Sequence, residues 1–388
     1  MAKPEKKLKI AVLVRRFVTT GGMERYCVEV AKRLARDHDV HVFAQEWEWD
    51  FENKITFHKV PRYFIKPNWL NQLHFSYCTS KMVDDSFDIT HSHERVSRYD
   101  ALTVHCPCFK THLVDEKRLF KKAMLWFSTI TSPRKLAYLL HEKKQFAFTE
   151  KRKIIAVSEK VKKNVQHCYP LPDDYFGIAF PGVNPDLFEK EEAVSKVDYR
   201  EKLDIPKDDL VILFVGTEFE RKGLDSLLKG FQKVAKKNIW LLVAGGGEKH
   251  QKYNKMVEEL AISENIKFLG LVSDIGNVYS ASDIFILPTL NEPAGMAPIE
   301  AMAAGLPVIV SNAENAGCAE QIKNNEALLL ENPKSSDEIA EALTILFDEN
   351  KRLELGRKGQ KLVEKFSWEK TVEDTMSVYK EILYLKNS

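Results

Sequence analysis

Apolar residues in this chain follow two recurring patterns. One is the short run rich in Val, Ile, Leu and Phe, seen at residues 10–14, 40–43, 154–158, 211–216, 240–244, 266–270, 284–287 and 308–311. Runs of this length, bounded by Gly, Pro, Asn and Ser, read as buried strands. Residues 87–94 and 100–108 read as two more. The other pattern has helical spacing. Val28, Ala31, Leu34 and Ala35 line one side of a helix ending at Arg36, and Trp368, Val372, Met376, Tyr379 and Leu383 form a core stripe on the last one. Ser158 stands where a helix would be capped, and residues 298–304 make a small-residue helix stopped by Gly305 and Pro307. Strand, glycine turn and helix in alternation predict an α/β protein with doubly wound sheets.

Length adds a second domain, because 388 residues exceed what one core usually organises. Composition adds little, since 44% hydrophobic and 29% charged residues are ordinary for a globular protein. No apolar run approaches the roughly 18 residues of a membrane span. The start is charged and leads into a strand, with no cleavage site after it. Cys27, Cys78, Cys106, Cys108, Cys168 and Cys318 form no disulfide framework, so a cytosolic, soluble chain is expected. Charge changes the picture more. Residues 117–163 hold 14 Lys and Arg against three acids, a local +11 in a chain of net charge +2, so the remainder is −9. The surrounding stretch, 114–152, is helical, broken at Ser132-Pro133, and carries Trp126, Phe127, Tyr138, Phe146 and Phe148. Basic residues beside aromatic ones suit an anionic membrane surface or a solvated helix face.

Candidate chemistry gathers at the ends of the predicted strands. Gly21 and Gly22 let backbone approach a ligand, but no G-x-G-x-x-G follows the first strand, which argues against a dinucleotide. Asp37-His38-Asp39 precedes its strand and reads as a turn, because ligands bind parallel sheets at their carboxyl ends. His91, His93, His105, Cys106, Cys108 and His112 are metal-ligand types without metal-ligand spacing, and no metal is expected. Arg221 and Lys222, followed by Gly223 at a helix start, suit a diphosphate. Glu292 lies in a loop after residues 284–287 and Glu300 lies about one turn into the next helix; Gly295 and Met296 between them offer backbone N–H groups.

Glu292 and Glu300, followed by Ala301-Met302-Ala303-Ala304-Gly305-Leu306-Pro307, resemble the signature of the retaining GT-B glycosyltransferases of family 4. The Glu292-Pro293-Ala294-Gly295 variant is similar to the branch containing lipopolysaccharide core glucosyltransferase I. The resemblance covers nearly the whole chain and is strongest over 211–320. It implies a GT-B fold of two Rossmann-like domains facing a cleft: 1–182 on the acceptor side, a Gly182-Val183 hinge, 183–365 holding the nucleotide sugar, and 366–388 as a helix returning to the first domain. It implies transfer of a hexose, with UDP-glucose as donor, onto a lipopolysaccharide inner-core or similar lipid-linked glycan at the cytoplasmic membrane face. No cofactor or nucleic acid is implied. Arg221, Lys222, Ala294, Gly295, Met296 and Glu300 would hold the donor, as would Gly21 and Gly22 unless their loop serves the acceptor side of the cleft; Glu292 would bind sugar hydroxyls, and either His105 or Asp100 would stand nearest the reacting carbon. Thr217 stands where many members have the diphosphate Arg, and the charge sits at Arg221 instead. A sugar-nucleotide epimerase or hydrolase of the same architecture and a non-catalytic lipid- or nucleic-acid-binding protein are the other readings. The Arg221-Lys222 and Glu292/Glu300 constellation disfavours the last.

Overall fold

The apolar runs become strands of two parallel sheets in the computed structural model, which describes residues 6–48, 54–184, 196–246, 250–323 and 325–388. The chain divides into two units, Met1–Pro181 with Trp368–Ser388, and Gly182–Ser367. Pro185, two residues after the Gly182-Val183 hinge, and Gly247, which ends the three glycines following the 240–244 run, lie outside the described residues.

In the first unit the elements run β1 (Lys9–Leu13), β2 (Arg16–Phe17), α1 (Gly22–Leu34), β3 (Asp39–Ala44), β4 (Glu46–Trp47), β5 (Ile55–Lys59) and α2 (Asn68–Met82). They continue as β6 (Ile89–Ser92), β7 (Ala101–Val104), α3 (Thr111–Val114), α4 (Leu119–Thr131), α5 (Pro133–Gln145), β8 (Lys153–Ala156), α6 (Glu159–Cys168) and β9 (Phe176–Ile178). The sheet order is β5-β3-β1-β6-β7-β8-β9, and β2 pairs with β4 in a small separate sheet. Central strands are buried throughout, as β6, β7 and β8 are along their whole length, so they lack polar alternation. Fully burying each Val, Leu or Ile there is worth about 1.5–3 kcal/mol. Ser158 caps α6 by accepting from the Val161 N–H at 3.2 Å.

The second unit contains α7 (Lys196–Lys202), β10 (Leu210–Val215), α8 (Leu224–Val234), β11 (Ile239–Ala244), α9 (His250–Glu259), β12 (Ile266–Gly270) and α10 (Ile275–Ser280). It ends with β13 (Ile284–Leu287), α11 (Met296–Ala303), β14 (Val308–Ser311), β15 (Leu328–Leu330), α12 (Ser336–Ile345) and α13 (Glu349–Val363). Its sheet order is β12-β11-β10-β13-β14-β15. Leu224, Leu227, Leu228 and Phe231 are buried at helical spacing on α8.

The final helix, α14 (Trp368–Asn387), belongs to the first unit. Its buried face is Trp368, Thr371, Thr375, Val378, Tyr379 and Ile382. The expected stripe is therefore rotated: Val372, Met376 and Leu383 are half-buried, and two threonines take core positions. Threonine is tolerated there because each hydroxyl donates to a carbonyl, Thr371 to Phe180 at 2.7 Å and Thr375 to Thr371 at 2.8 Å.

Candidate functional site

An open parallel sheet binds ligands at its carboxyl edge, where the strand order reverses and neighbouring loops part. In the second unit that reversal lies between β10 and β13. The loop leaving β10 carries Arg221 and Lys222, and the loop leaving β13 carries Glu292. Lys222 Nζ pairs with Glu292 Oε2, both side chains being close to nine-tenths buried. Arg221 Nη1 lies 3.5 Å from the same oxygen, while its Nε donates to Glu218 at 2.7 Å and its Nη1 to the Asn291 carbonyl. Leu290 N–H and Thr289 Oγ1 both donate to the Arg221 carbonyl, at 2.8 and 3.2 Å, which stitches the two loops together. A buried carboxylate stripped of its cation is costly, so the pair fixes both loops. The ammonium has three donors and places one on Glu292, leaving it able to bind an anion as well.

The loop from β13 then enters α11 through Gly295, whose φ of 93° is left-handed and whose Cβ would lie 2.6 Å from Cys318 Sγ. Only glycine fits there. No side chain caps α11, so Met296 begins it two residues before the expected Pro298 with its first N–H groups uncapped by side chains. Glu300 is buried on the second turn, and its Oε2 accepts from the Tyr279 hydroxyl at 3.0 Å. Burial, with Glu292 nearby, pushes the Cys318 thiol up to about 12, which keeps it unreactive. Asn291 Oδ1 is buried without a partner among the described residues. Arg221, Lys222, Glu292, Ala294, Gly295, Met296 and Glu300 thus converge at one edge of one unit.

The first unit brings together fewer of the expected residues. Gly21, with φ 101°, and Gly22 open α1 on the carboxyl side of the sheet. His105 follows the carboxyl end of β7, but Asp100 precedes its amino end. The strand covers only Ala101–Val104, so the two residues are carried to opposite edges. Asp100 is engaged there: its Oδ2 accepts from the Thr90 N–H at 2.7 Å and its Oδ1 pairs with Lys386 at 2.9 Å. Its placement corrects the expectation that it shares the ligand edge. His105 Nε2 meets His93 Nδ1 at 3.1 Å, and its ring lies edge-on to Tyr26, with centroids 5.0 Å apart. His91 bridges Thr103 and Tyr379 at 2.7 Å each. Burial lowers His91 and His105 to about 3 and His93 well below its ordinary value, so all three are neutral at pH 7. Among the described residues no group of three or more His, Cys, Asp and Glu could hold a metal ion. Asp39 begins β3, with Asp37 and His38 in the turn before it.

Two polar residues at this edge have no counterpart in the sequence reading, Arg15 after β1 and Asn68 at the start of α2, whereas Glu94 closes the expected 87–94 strand, which in the structure ends at Ser92. Tyr279 beneath Glu300 was also missed. For Arg15 the signal available was position, two residues beyond the end of a strand. In the basic segment, Leu119, Phe120, Met124, Phe127 and Ile130 of α4 are exposed, Phe127 by 72%, whereas Trp126 is half-buried. No helix among the described residues is long and apolar enough to cross a membrane.

Two family models match. Glycosyltransferase Family 4 covers residues 20–187, and Glycosyl transferases group 1 covers residues 195–362. An uncharacterized glycosyltransferase of Methanocaldococcus jannaschii is 26% identical, over 96% of this chain and 98% of its own length. The lipopolysaccharide glucosyltransferase WaaG of Escherichia coli is 24% identical, over 86% of this chain and 88% of its own. The fold matches the crystal structure of WaaG with a TM-score of 0.81 at 22% identity, over 95% of this chain and 99% of that one. It matches Anabaena HepE in complex with UDP-glucose with a TM-score of 0.71 at 17% identity, over 95% and 99%.

Proposed function

Because this chain is a GT-B glycosyltransferase, with a family 4 region followed by a group 1 region, we propose that it transfers a hexose from UDP-glucose to a glycan acceptor with retention of configuration. The observation that carries this reading is the Arg221–Lys222–Glu292 bridge across the reversal of the second sheet, beside the uncapped start of α11. Charge grows on the diphosphate as it leaves, and fixed cations with helix N–H groups stabilise it more in the transition state than before it. Lys222 and Arg221 take that role. Glu292 meets sugar hydroxyls, and Glu300, held by Tyr279, accepts from the ribose. Retention implies same-face attack, with a departing phosphate oxygen taking the acceptor proton. His105, neutral and at the carboxyl edge of its own sheet, takes the place nearest the reacting carbon in preference to Asp100.

A panel of nucleotide sugars read by thermal shift tests the donor. UDP-glucose at a hundred times its Kd stabilises by about 2.7 kcal/mol, and a larger response to another nucleotide sugar replaces it. EDTA leaves activity intact, and complete loss restored by zinc or magnesium would contradict the metal-free reading. The acceptor we propose is the inner core of lipopolysaccharide or a similar lipid-linked glycan, reached from the cytoplasmic face of the membrane. The exposed apolar row on α4, among the basic residues 117–163, supports that location. Sedimentation with vesicles tests it: anionic but not zwitterionic vesicles bind, and salt releases them.

A further inference from the structure

Two of the six scattered cysteines meet in the first unit. Cys108 stands in the loop that leaves β7, shortly after His105, and Cys168 is the last residue of α6. The Cys108 N–H donates to Asn164 Oδ1 at 2.8 Å, and Cys168 lies one helical turn beyond Asn164 on the same side of α6. Asn164 Nδ2 in turn donates to Thr111 Oγ1 at 3.0 Å, and that hydroxyl lies 3.4 Å from Cys168 Sγ. The Thr111 N–H closes the circuit by donating to the Cys108 carbonyl at 3.2 Å. Within this circuit the Cys108 thiol donates a hydrogen bond to the Cys168 sulfur.

The two sulfurs are chemically unlike. Burial raises the thiols of Cys27, Cys78, Cys106 and Cys318 above their ordinary value. Donating to Cys168, together with burial, raises Cys108. Cys168 goes the other way: the hydrogen bond from Cys108, helped by Thr111, brings it down to about 7. A thiolate attacks an oxidant and a thiol does not, so Cys168 is the nucleophile and Cys108 the neighbour able to resolve it. Cys168 is buried by one layer only, since Thr111 is half-buried and His167 and Pro170 are exposed. We propose that Cys108 and Cys168 are a redox pair, which a hydroperoxide converts into a disulfide stapling the loop that leaves β7 to α6. The Cys168 thiolate attacks a peroxide oxygen and the O–O bond breaks. The departing hydroxide takes from solvent the proton the thiol had lost, leaving water and a sulfenic acid on Cys168. The Cys108 sulfur then attacks the Cys168 sulfur; the S–S bond forms, the S–O bond breaks, and the Cys108 proton leaves with the hydroxyl as a second water. Two thiols lose two electrons, and one hydrogen peroxide becomes two waters. The bond would fix the segment that begins at His105, and its formation does not depend on the transfer reaction proposed above.

Thiol titration and peptide mass mapping of the native full chain test this, with hydrogen peroxide as the oxidant. One equivalent lowers the six free thiols to four and joins the Cys108 and Cys168 peptides, and dithiothreitol restores all six. Cys108→Ser removes the resolving thiol, so the Cys168 sulfenic acid accumulates and is trapped by dimedone. Cys168→Ser gives neither the cross-link nor an adduct at Cys108. Cys106→Ser, which changes the exposed neighbour, cross-links as the wild type does. A thiol at about 7 makes the rate of cross-linking fall about tenfold from pH 8 to pH 6, whereas one at the ordinary value of about 8.5 would lose about 80-fold. The mapping and the pH profile use the wild type, so a folding defect in a variant leaves them intact. The proposal is overturned if six thiols survive the peroxide, if the cross-link forms only in denaturant, if another cysteine is oxidised first, or if the rate shows the steeper fall.

Discussion

The two units solve the same topological problem with different materials. The second surrounds its reversal point with glycine. Gly223, Gly245 and Gly295 all have left-handed backbone, and a Cβ at Gly223 or Gly245 would lie 1.8 or 1.9 Å from a carbonyl oxygen. Its loops are therefore pressed together, and their N–H groups and cations form one surface. The first unit has a single glycine turn at Gly21-Gly22 and fills its edge with large polar side chains, Arg15, Glu94, His93 and His105. Backbone contact suits a ligand whose phosphates are the same whatever sugar they carry. Side-chain contact suits a ligand recognised by the positions of its hydroxyls.

The largest test of this contrast is Gly223→Ala, where left-handed strain and overpacking together destabilise by about 3 kcal/mol or more. Gly270→Ala is the control, because φ is 66° but no atom lies within 4 Å of the new Cβ, and it costs about 1–2 kcal/mol. Equal melting temperatures for the two variants would mean that the loops are not pressed together. Next comes Lys222→Ala, which lowers kcat by about 10²–10³-fold if its ammonium meets the departing diphosphate. Near-normal initial rates would move the diphosphate elsewhere.

Acid separates the units through histidine. His250 is the one histidine in residues 182–367, whereas the first unit buries His91, His93 and His105. Their folded pKa values lie below the unfolded value of about 6.5, so the unfolded chain binds more protons once pH falls under that value. Stability is fully present above about pH 6.5 and declines as pH drops towards about 3, by about 1.4 kcal/mol per pH unit for fully buried His91 alone. Hydrogen exchange at pH 7 and pH 5 should show β6 and β7 losing protection before β10 and β13. Simultaneous loss would contradict it. The smallest effect is that of Glu300→Ala. A ribose contact is equally strong before and during reaction, so KM for the donor rises about tenfold while kcat holds. A collapse of kcat at constant KM would remove Glu300 from the ribose.

Much of the fold was legible because buried parallel strands appear as unbroken apolar runs. The edge strands β5, β9 and β15 were not, since half-exposed positions dilute the run, as the pattern of β5 does. The glycine-marked loops of the second unit were legible for the same local reason. Contacts between distant residues were not: Lys222 and Glu292 are 70 positions apart, Arg15 and Glu94 are 79 apart, and neither spacing leaves a mark in sequence. Asp100 is the instructive failure. The edge rule that identifies Asp37-His38-Asp39 as a turn applies equally to a residue preceding Ala101, and a nine-residue reading of that strand obscured it.

One consequence follows from the helix that closes the first unit. Residues 182–367 form the second unit as one continuous stretch, whereas the first needs 368–388 to supply Trp368 beside Tyr26 and Tyr379 against His91. Chains emerge from the ribosome at about 5–20 residues per second, and domains fold as they appear. The half that is made first is then the half that is finished last. It waits on the ribosome, with His91 and the Tyr26 ring uncovered, until the whole of the other half has been translated.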